Sequence, residues 1–431
     1  MIIKVKDKLF SNRLSKNVYW IFLGNILHAI LAFLLNIFVA RMLTLNDNGL
    51  LTYASSWVAF FSSVGTLGFN GIISREFSKN ESKFNEYIWS CTWLRVLFAL
   101  GAIVTLQAIV RISAPEEQVF HLIVLCQSLT ILFGSMDLFV YWYRYKNKAA
   151  ITAQYRICSF LLAAVWRILA IGVFHNLIFY AIGVSIETLL FVFFLYRFYR
   201  QNYTRKIQIK SETMIRMIKM SYPFVFSAIL STIYGQADKI MLKNMMDNNA
   251  VALYNASTTL AGLVVIVPTT LIEGFRPDIM DAKCHNELLY QRRLRQLYAL
   301  VFWTCMVYGV FITVFAKQII LLLYGKKYLG SADSLALIVW YTSFSYFGAI
   351  NNVYMVAENK QKWVQFITLG GALANVALNY FLIPVLGIVG AALSSLLTQI
   401  FANFVMMMII RDLRQGFRIM IQGIILKEVR E

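Results

Sequence analysis

The stretch Asn17–Leu43, NVYWIFLGNILHAILAFLLNIFVARML, is apolar along nearly its whole length. About 20 such residues suffice for a helix to cross a bilayer. Further runs of the same kind follow near 50–73, 88–110, 119–143, 150–174, 177–197, 217–242, 251–275, 296–316, 333–356, 363–384 and 387–410. In hydrocarbon every backbone N–H and C=O must be bonded inside the protein, which leaves helices and closed barrels. Barrel strands alternate apolar and polar residues over about ten positions. These runs are longer and do not alternate, so they predict helices. Only 14% of the residues are charged, against about 25% in soluble domains. The expected fold is all-α and integral to the membrane, with twelve transmembrane helices.

Twelve spans place both termini on one side of the bilayer. Of the 40 Lys and Arg residues, 30 fall in tails and loops on that side. The opposite loops hold six: Arg41, Arg111, Lys243, Lys317, Lys326 and Lys327. The positive-inside rule therefore makes both termini cytoplasmic. A net charge of +19 would suggest nucleic acid in a soluble protein. Here the basic residues sit in short loops between apolar runs, where they set topology and meet anionic lipids. The start, MIIKVKDKLFSNRLSK, is basic and lacks a small-residue cleavage site, so the first helix is expected to act as the targeting signal. The five cysteines show no metal-ligand spacing and read as small apolar fillers. No metal or cofactor is expected.

A faint internal repeat sets the domain plan. Gly49–Ser56, GLLTYASS, sits against Ala250–Ser257, AVALYNAS, and the polar turns Asn46–Asn48 and Asp247–Asn249 coincide as well. Such an echo at half the chain length points to two fused halves. The expected division is a cytoplasmic tail at 1–16, an N-lobe at 17–197, a cytoplasmic linker at 198–216, a C-lobe at 217–410, and a tail at 411–431. Six spans in each half give repeats of the same orientation, related by an axis along the membrane normal. The tail mixes Phe417, Ile421, Ile424 and Ile425 with Arg418, Lys427 and Arg430. It is either an amphipathic interfacial helix or a frayed end.

Ionisable residues within spans cost about 2.5–3.5 kcal/mol each on insertion scales, so they should face a partner or a wet cavity. The first half offers His28, Arg95, Asp137, Arg156, Arg167 and Glu187; the second offers Asp238, Lys239 and Glu273. Arginine stays charged and presents a planar fork of donors that suits phosphate. An excess of Arg in a cavity would therefore favour a phosphorylated or otherwise anionic substrate. Each residue also has a plainer reading. Arg95, Arg156 and Arg167 could snorkel to an interface. Asp137 could orient a helix end, and Glu273 could pair with Arg276 on the same helix face. His28 is either a proton-linked group or a packing histidine. Glu187, at mid-span, is expected to pair with Arg156 or Arg167. No nucleotide-binding loop, nucleophile elbow or metal-binding helix occurs, so the chain does not read as an enzyme.

Several segments resemble one family. FVARMLTLNDNGLLTYASSWVAFFSSVGTLGFNGIISREFSKN resembles the first hairpin of the Wzx-type polysaccharide and O-antigen flippases of the MATE-like (MOP) exporter superfamily, through Ala40-Arg41, Gly49, Gly65, Gly68 and Arg75. SYPFVFSAILSTIYGQADKIML, with Pro223 and Asp238, resembles the start of that family's second half. IILLLYGKKYLGSADSLALIVW resembles its loop before span 10. NVALNYFLIPVLGIVGAALSS resembles its last two spans, with Asn379, Pro384, Gly387 and Gly390.

The resemblance implies two six-helix lobes around a central cavity. It implies alternating access and a substrate that is an undecaprenyl-pyrophosphate-linked oligosaccharide repeat unit. The unit would pass from the cytoplasmic to the periplasmic leaflet of a bacterial inner membrane during O-antigen or capsule synthesis. The implied partners are that glycan lipid, bilayer lipids and other polysaccharide-assembly membrane proteins, with no nucleic acid. Arg95, Arg156, Arg167, Lys239, Arg41 and Arg75 would line the cationic cavity. His28, Asp137, Glu187, Asp238 and Glu273 would couple or pair charges. Two departures bear on the branch. Peptidoglycan-precursor flippases carry fourteen spans and clustered charges in span 1, whereas span 1 here offers only His28 before Arg41. Drug-exporting relatives commonly have an acidic residue in span 1, and none is present here. The alternatives are an ion-coupled exporter of small amphipathic compounds and, more remotely, a membrane glycan polymerase or ligase.

Overall fold

The computed structural model describes residues 13–65, 83–202 and 207–426, with Phe69, Ile73 and Glu76 between the first two stretches. Among these residues the secondary structure is helical. The first half comprises α1 (Arg13–Met42), α2 (Leu45–Gly65), α3 (Phe84–Ser113), α4 (Gln118–Gly134), α5 (Phe139–Tyr145), α6 (Ala149–Gly172) and α7 (Leu177–Asn202). Then follow α8 (Ser211–Met245), α9 (Asn248–Ala261), α10 (Ile266–His285), α11 (Glu287–Leu323) and α12 (Ala332–Ala357). The chain ends in α13 (Lys362–Leu386), α14 (Ile388–Ile400), the short α15 (Met406–Ile409) and α16 (Arg414–Ile424).

The described residues of each expected apolar run are mostly helical, and among the described residues nine stretches are long and apolar enough to cross a membrane. The protein is thus a multi-pass membrane protein. The expected runs at 50–73, 217–242 and 333–356 lie on α2, α8 and α12, which do not reach that hydropathy. The reason is chemical. α2 buries Asn48, Thr52 and Ser56, α8 buries Asp238, and α12 buries Ser334, Thr342, Ser343 and Asn351. Polar groups turned inward lower the mean hydropathy of a helix without exposing it to water.

Three expected spans are interrupted, and at two of the interruptions side chains bond the irregular backbone. The run at 119–143 breaks between α4 and α5. There the backbone tightens into three-residue turns, such as Asp137 N–H donating to the Gly134 carbonyl at 3.1 Å. The run at 251–275 passes through a 3-10 turn at Gly262–Val265. The last run passes through a π-turn at Phe401–Val405. In that turn the Asn403 carbonyl accepts from Asn351 Nδ2 at 3.1 Å, and Asn403 Nδ2 donates to the Phe344 carbonyl at 3.0 Å. Irregular backbone at membrane depth persists where side chains satisfy it.

The two echoed segments are both helix starts. Thr44 Oγ1 accepts from the Asp47 N–H at 3.1 Å, so α2 begins at Leu45, earlier than the expected residue 50. Asp247 Oδ1 accepts from the Ala250 N–H at 2.8 Å and caps α9. Each cap satisfies a backbone donor that a helix otherwise leaves open.

The chain divides into two compact units, Met1–Thr232 and Ile233–Glu431. The division falls inside α8. Its first turns are fastened to the first unit, where Thr213 Oγ1 donates to Glu86 at 2.5 Å and Lys210 Nζ approaches Glu86 at 2.8 Å. Arg216 pairs with the buried Glu76 and lies over the Tyr87 ring. The first unit's core is aromatic, with Phe84, Trp89, Phe139, Trp142, Tyr143 and Tyr199 packed together. In the second unit a core built from Tyr298, Phe347, Ile350 and Tyr354 also takes in Ile419 and Met420 of α16. The tail is therefore helical over Arg414–Ile424, and that apolar pair is occupied by protein. Gly416 and Gly423 allow this docking, because a Cβ at either would meet Tyr354 at 2.5 Å or the Arg295 carbonyl oxygen at 2.7 Å.

α13 and α14 pack almost backbone to backbone. A Cβ on Gly390 would lie 2.2 Å from the Leu382 carbonyl oxygen. Overpacking of this kind costs about 1–3 kcal/mol. Gly390→Ala is expected to lower the thermal unfolding midpoint of the detergent-solubilised protein by several degrees. An unchanged midpoint would show that the two helices do not approach this closely.

Candidate functional site

In the first unit the intramembrane charges sort into three groups. α1, α6 and α7 bring His28, Arg167 and Glu187 together. Arg167 Nη2 donates to Glu187 Oε2 at 2.5 Å and to the Gly183 carbonyl at 3.3 Å. The other carboxylate oxygen, Oε1, lies 3.1 Å from His28 Nε2. Gly183 precedes Glu187 by one helical turn and makes room for the guanidinium stem, since a Cβ there would meet Arg167 Cγ at 2.7 Å. The His28 ring stands edge-on to Phe160. Of the two expected partners for Glu187, the structure places Arg167 beside it.

The second group depends on the break after α4. Arg95 is almost wholly buried on α3. Its Nη1 donates to Asp137 Oδ1 at 2.7 Å, and its Nη2 donates to the Gly134 carbonyl at 2.9 Å. An uninterrupted helix would have committed that carbonyl to an N–H four residues on. Here the helix ends, and the carbonyl accepts both from the Asp137 N–H three residues on and from the guanidinium.

The third group is a cleft lined by Arg144, Arg156, Asn25 and Thr152. Arg156 lies over the Phe191 ring at 5.3 Å, and Arg144 over the Tyr141 ring at 5.6 Å. Among the described residues no carboxylate stands within 4.0 Å of either guanidinium. Two cations thus share a cleft with no carboxylate in ion-pair contact, and Asp137 and Glu187 act on Arg156 only from a longer distance. Arg144 is a member the sequence reading did not single out, because it sits at a span end among other loop cations.

The second unit concentrates its polar groups on Asp238. Tyr254 Oη and Ser395 Oγ each donate to Oδ2 at 2.5 Å. Asn375 and Asn379 donate to Oδ1 at 3.0 and 2.6 Å. These partners come from α9, α13 and α14, so one carboxylate ties four helices together. Asn375 and Asn379, four apart on one face of an otherwise apolar helix, were the available signal for this cluster. Asn379 alone entered the sequence reading, through the resemblance. Lys239, the next residue, lines with Asp238 a cavity of about 160 Å³, together with Tyr234, Tyr254, Tyr341, Thr258 and Thr342.

The remaining candidates lie elsewhere. Glu273 pairs with Arg276 at 3.0 Å on the exposed face of α10. Arg41 is exposed at the end of α1. Arg75 lies outside the described residues. Among the described residues no cluster of His, Cys, Asp and Glu could hold a metal ion, and the cysteines are free thiols, with Cys91 and Cys305 buried and Cys158 and Cys284 exposed.

The comparisons bear on this arrangement. A family model described as polysaccharide biosynthesis protein matches residues 14–273, more than half of the chain. No curated protein sequence matches significantly. Among solved structures, the chain is similar to the lipid II flippase MurJ in an inward-closed conformation, with a TM-score of 0.73 at 14% identity over 94% of this chain and 90% of that one. It is similar to an inward-facing multidrug resistance MATE family transporter of the MOP superfamily, with a TM-score of 0.65 at 12% identity over 94% of each chain. It is also similar to a MOP superfamily transporter from Pyrococcus furiosus in which reverse polarity of the binding pocket suggests a different function. That TM-score is 0.58 at 12% identity, over 97% of this chain and 98% of that one. At these identities the likeness is one of fold, and the fold is that of transporters and flippases. The chain belongs to the polysaccharide biosynthesis protein family, that of the Wzx-type flippases, on the fold of the MOP superfamily.

Proposed function

We propose that the protein flips an undecaprenyl-pyrophosphate-linked oligosaccharide repeat unit from the cytoplasmic to the periplasmic leaflet by alternating access, without enzymatic chemistry. Family membership supports a lipid-linked glycan as the substrate class. The observation that carries the anionic headgroup is the pair Arg144 and Arg156, two cations in one cleft with no carboxylate within 4.0 Å among the described residues. Guanidinium forks suit the oxygens of a pyrophosphate and keep their charge at any working pH. The other deep arginines have a different role in this reading. Arg95 and Arg167 are already paired with Asp137 and Glu187, so they hold the first unit's helices in place. The His28–Glu187–Arg167 triad and Asp238 are the groups we assign to coupling, since each can exchange a proton or a partner between states.

An exporter of amphipathic cations would need an uncompensated carboxylate facing its cargo. The carboxylates of Asp137, Glu187 and Asp238 are each engaged by donors of this chain. The charge left open is positive, which favours the glycan lipid. The implied setting is a bacterial inner membrane, with both termini cytoplasmic and the glycan destined for O-antigen or capsule.

Two measurements test this assignment. A hydrogen bond to a charged group is worth about 1.5–3 kcal/mol, so Arg144→Gln and Arg156→Gln are each expected to weaken substrate affinity by about tenfold or more. In a strain deleted for the gene, either variant should restore surface polysaccharide poorly while reaching the membrane at normal levels. Full restoration by the double variant would exclude the pair from headgroup binding. Removing one partner of a buried ion pair costs about 3–5 kcal/mol, whereas replacing both with apolar residues is often neutral. Glu187→Ala should therefore lower the unfolding midpoint sharply, and Arg167→Met combined with Glu187→Leu should recover most of it. If the double variant is no more stable than the single, the pair is not the buried contact described here.

A further inference from the structure

The cavity beside Asp238 holds an opening that the headgroup assignment does not use. Asp238 has about four lone-pair sites as a carboxylate, and Tyr254, Ser395, Asn375 and Asn379 fill them. Lys239 is in the opposite condition. It lines the cavity, and among the described residues no carboxylate lies within 4.0 Å of its ammonium. The Tyr234 hydroxyl on the same wall is buried and has no hydrogen-bond partner among the described residues. A buried polar group without a partner calls for one. The cavity measures about 160 Å³, far above the roughly 10–15 Å³ that one water needs. Its walls add the rings of Tyr234 and Tyr341 and the hydroxyls of Thr258 and Thr342.

We propose that this cavity is a saccharide subsite of the second unit that takes one sugar ring bearing a carboxylate. The hydroxyls meet the ring's hydroxyls, the tyrosine rings cover its C–H faces, and Lys239 meets the carboxylate. A bare phosphate would call for several cations or a cluster of backbone N–H groups, and this wall offers one ammonium among hydroxyls, aromatic rings and the Asp238 carboxylate, whose oxygens already accept from four side chains. The proposal rests on the glycan-flippase reading and adds to it a preference for acidic repeat units.

The glycines of the wall permit a test that leaves the fold alone. A Cβ at Gly235 or at Gly262 meets nothing within 4 Å, so a larger side chain at either position grows into the cavity. Binding of glucuronate, glucose and inorganic pyrophosphate to the purified full-length protein would be followed by saturation-transfer NMR. Thermal unfolding would serve as the folding control. Glucuronate is expected to bind at least about tenfold more tightly than glucose, the worth of one charge-assisted hydrogen bond. Lys239→Gln should erase that difference, and Gly262→Leu or Gly235→Leu should abolish binding of both sugars with the unfolding midpoint retained. Equal binding of the two sugars, no sugar binding, or an unaltered preference in Lys239→Gln would overturn the subsite. Pyrophosphate separates the two ideas: binding that survives Lys239→Gln and is lost in Arg144→Gln with Arg156→Gln leaves the headgroup reading standing. Pyrophosphate binding indifferent to both arginines would overturn that reading instead.

Discussion

A charge inside a bilayer must find its counterpart within the protein, and the rest of this structure depends on how that demand is met. Water is not there to complete a guanidinium or a carboxylate, so each such group recruits neighbours from other helices. Arg167 draws α1 and α7 to α6 through Glu187 and His28. Arg95 draws the end of α4 to α3 through Asp137 and the Gly134 carbonyl. Asp238 does the same for α8, α9, α13 and α14. In lipid, apolar side chains have no preference for one another over acyl chains, so small-residue contacts and polar ties of this kind set helix neighbours. The close approach of Gly390 to Leu382 supplies the other half of that logic.

Satisfied charges and open charges then have different meanings. A paired group holds the scaffold; an open one is available to cargo. By that criterion the arginine excess of the first unit is smaller than a count of intramembrane residues suggests. Two of its three deep arginines are spent on carboxylates, and the third, Arg156, shares its cleft with Arg144. In the second unit the same division separates Asp238 from Lys239, neighbours in sequence that point to different tasks on the helix.

Helices and the membrane were legible from apolar length alone. Legibility failed where polar groups were turned inward. α2, α8 and α12 read as spans by pattern but fall short in hydropathy, because Asn48, Asp238 and Asn351 are buried in protein. The breaks at Gly134–Phe139, Gly262–Val265 and Phe401–Val405 left no clear signal, since the residues there are compatible with a continuous helix, and at the first and third tertiary hydrogen bonds hold the irregular backbone. The site was half visible. Rarity of charge in apolar runs picked out His28, Arg95, Asp137, Arg156, Arg167, Glu187, Asp238 and Lys239, yet rarity does not say which are paired. Arg144 was hidden among loop cations, and Asn375, Tyr254 and Ser395 carry no charge to mark them.

The central claim is that this membrane protein moves a glycan carried on a lipid pyrophosphate and holds that headgroup through Arg144 and Arg156. The most direct measurement is translocation in proteoliposomes containing the purified protein. A fluorescent oligosaccharide on a polyprenyl pyrophosphate would be incorporated, and its transfer between leaflets followed by protection from an added glycosidase. The account predicts protein-dependent transfer of the pyrophosphate-linked glycan, and little transfer when the same glycan is linked to an uncharged polyprenyl ether. Equal transfer of both lipids, or transfer no faster than in protein-free vesicles, would contradict it.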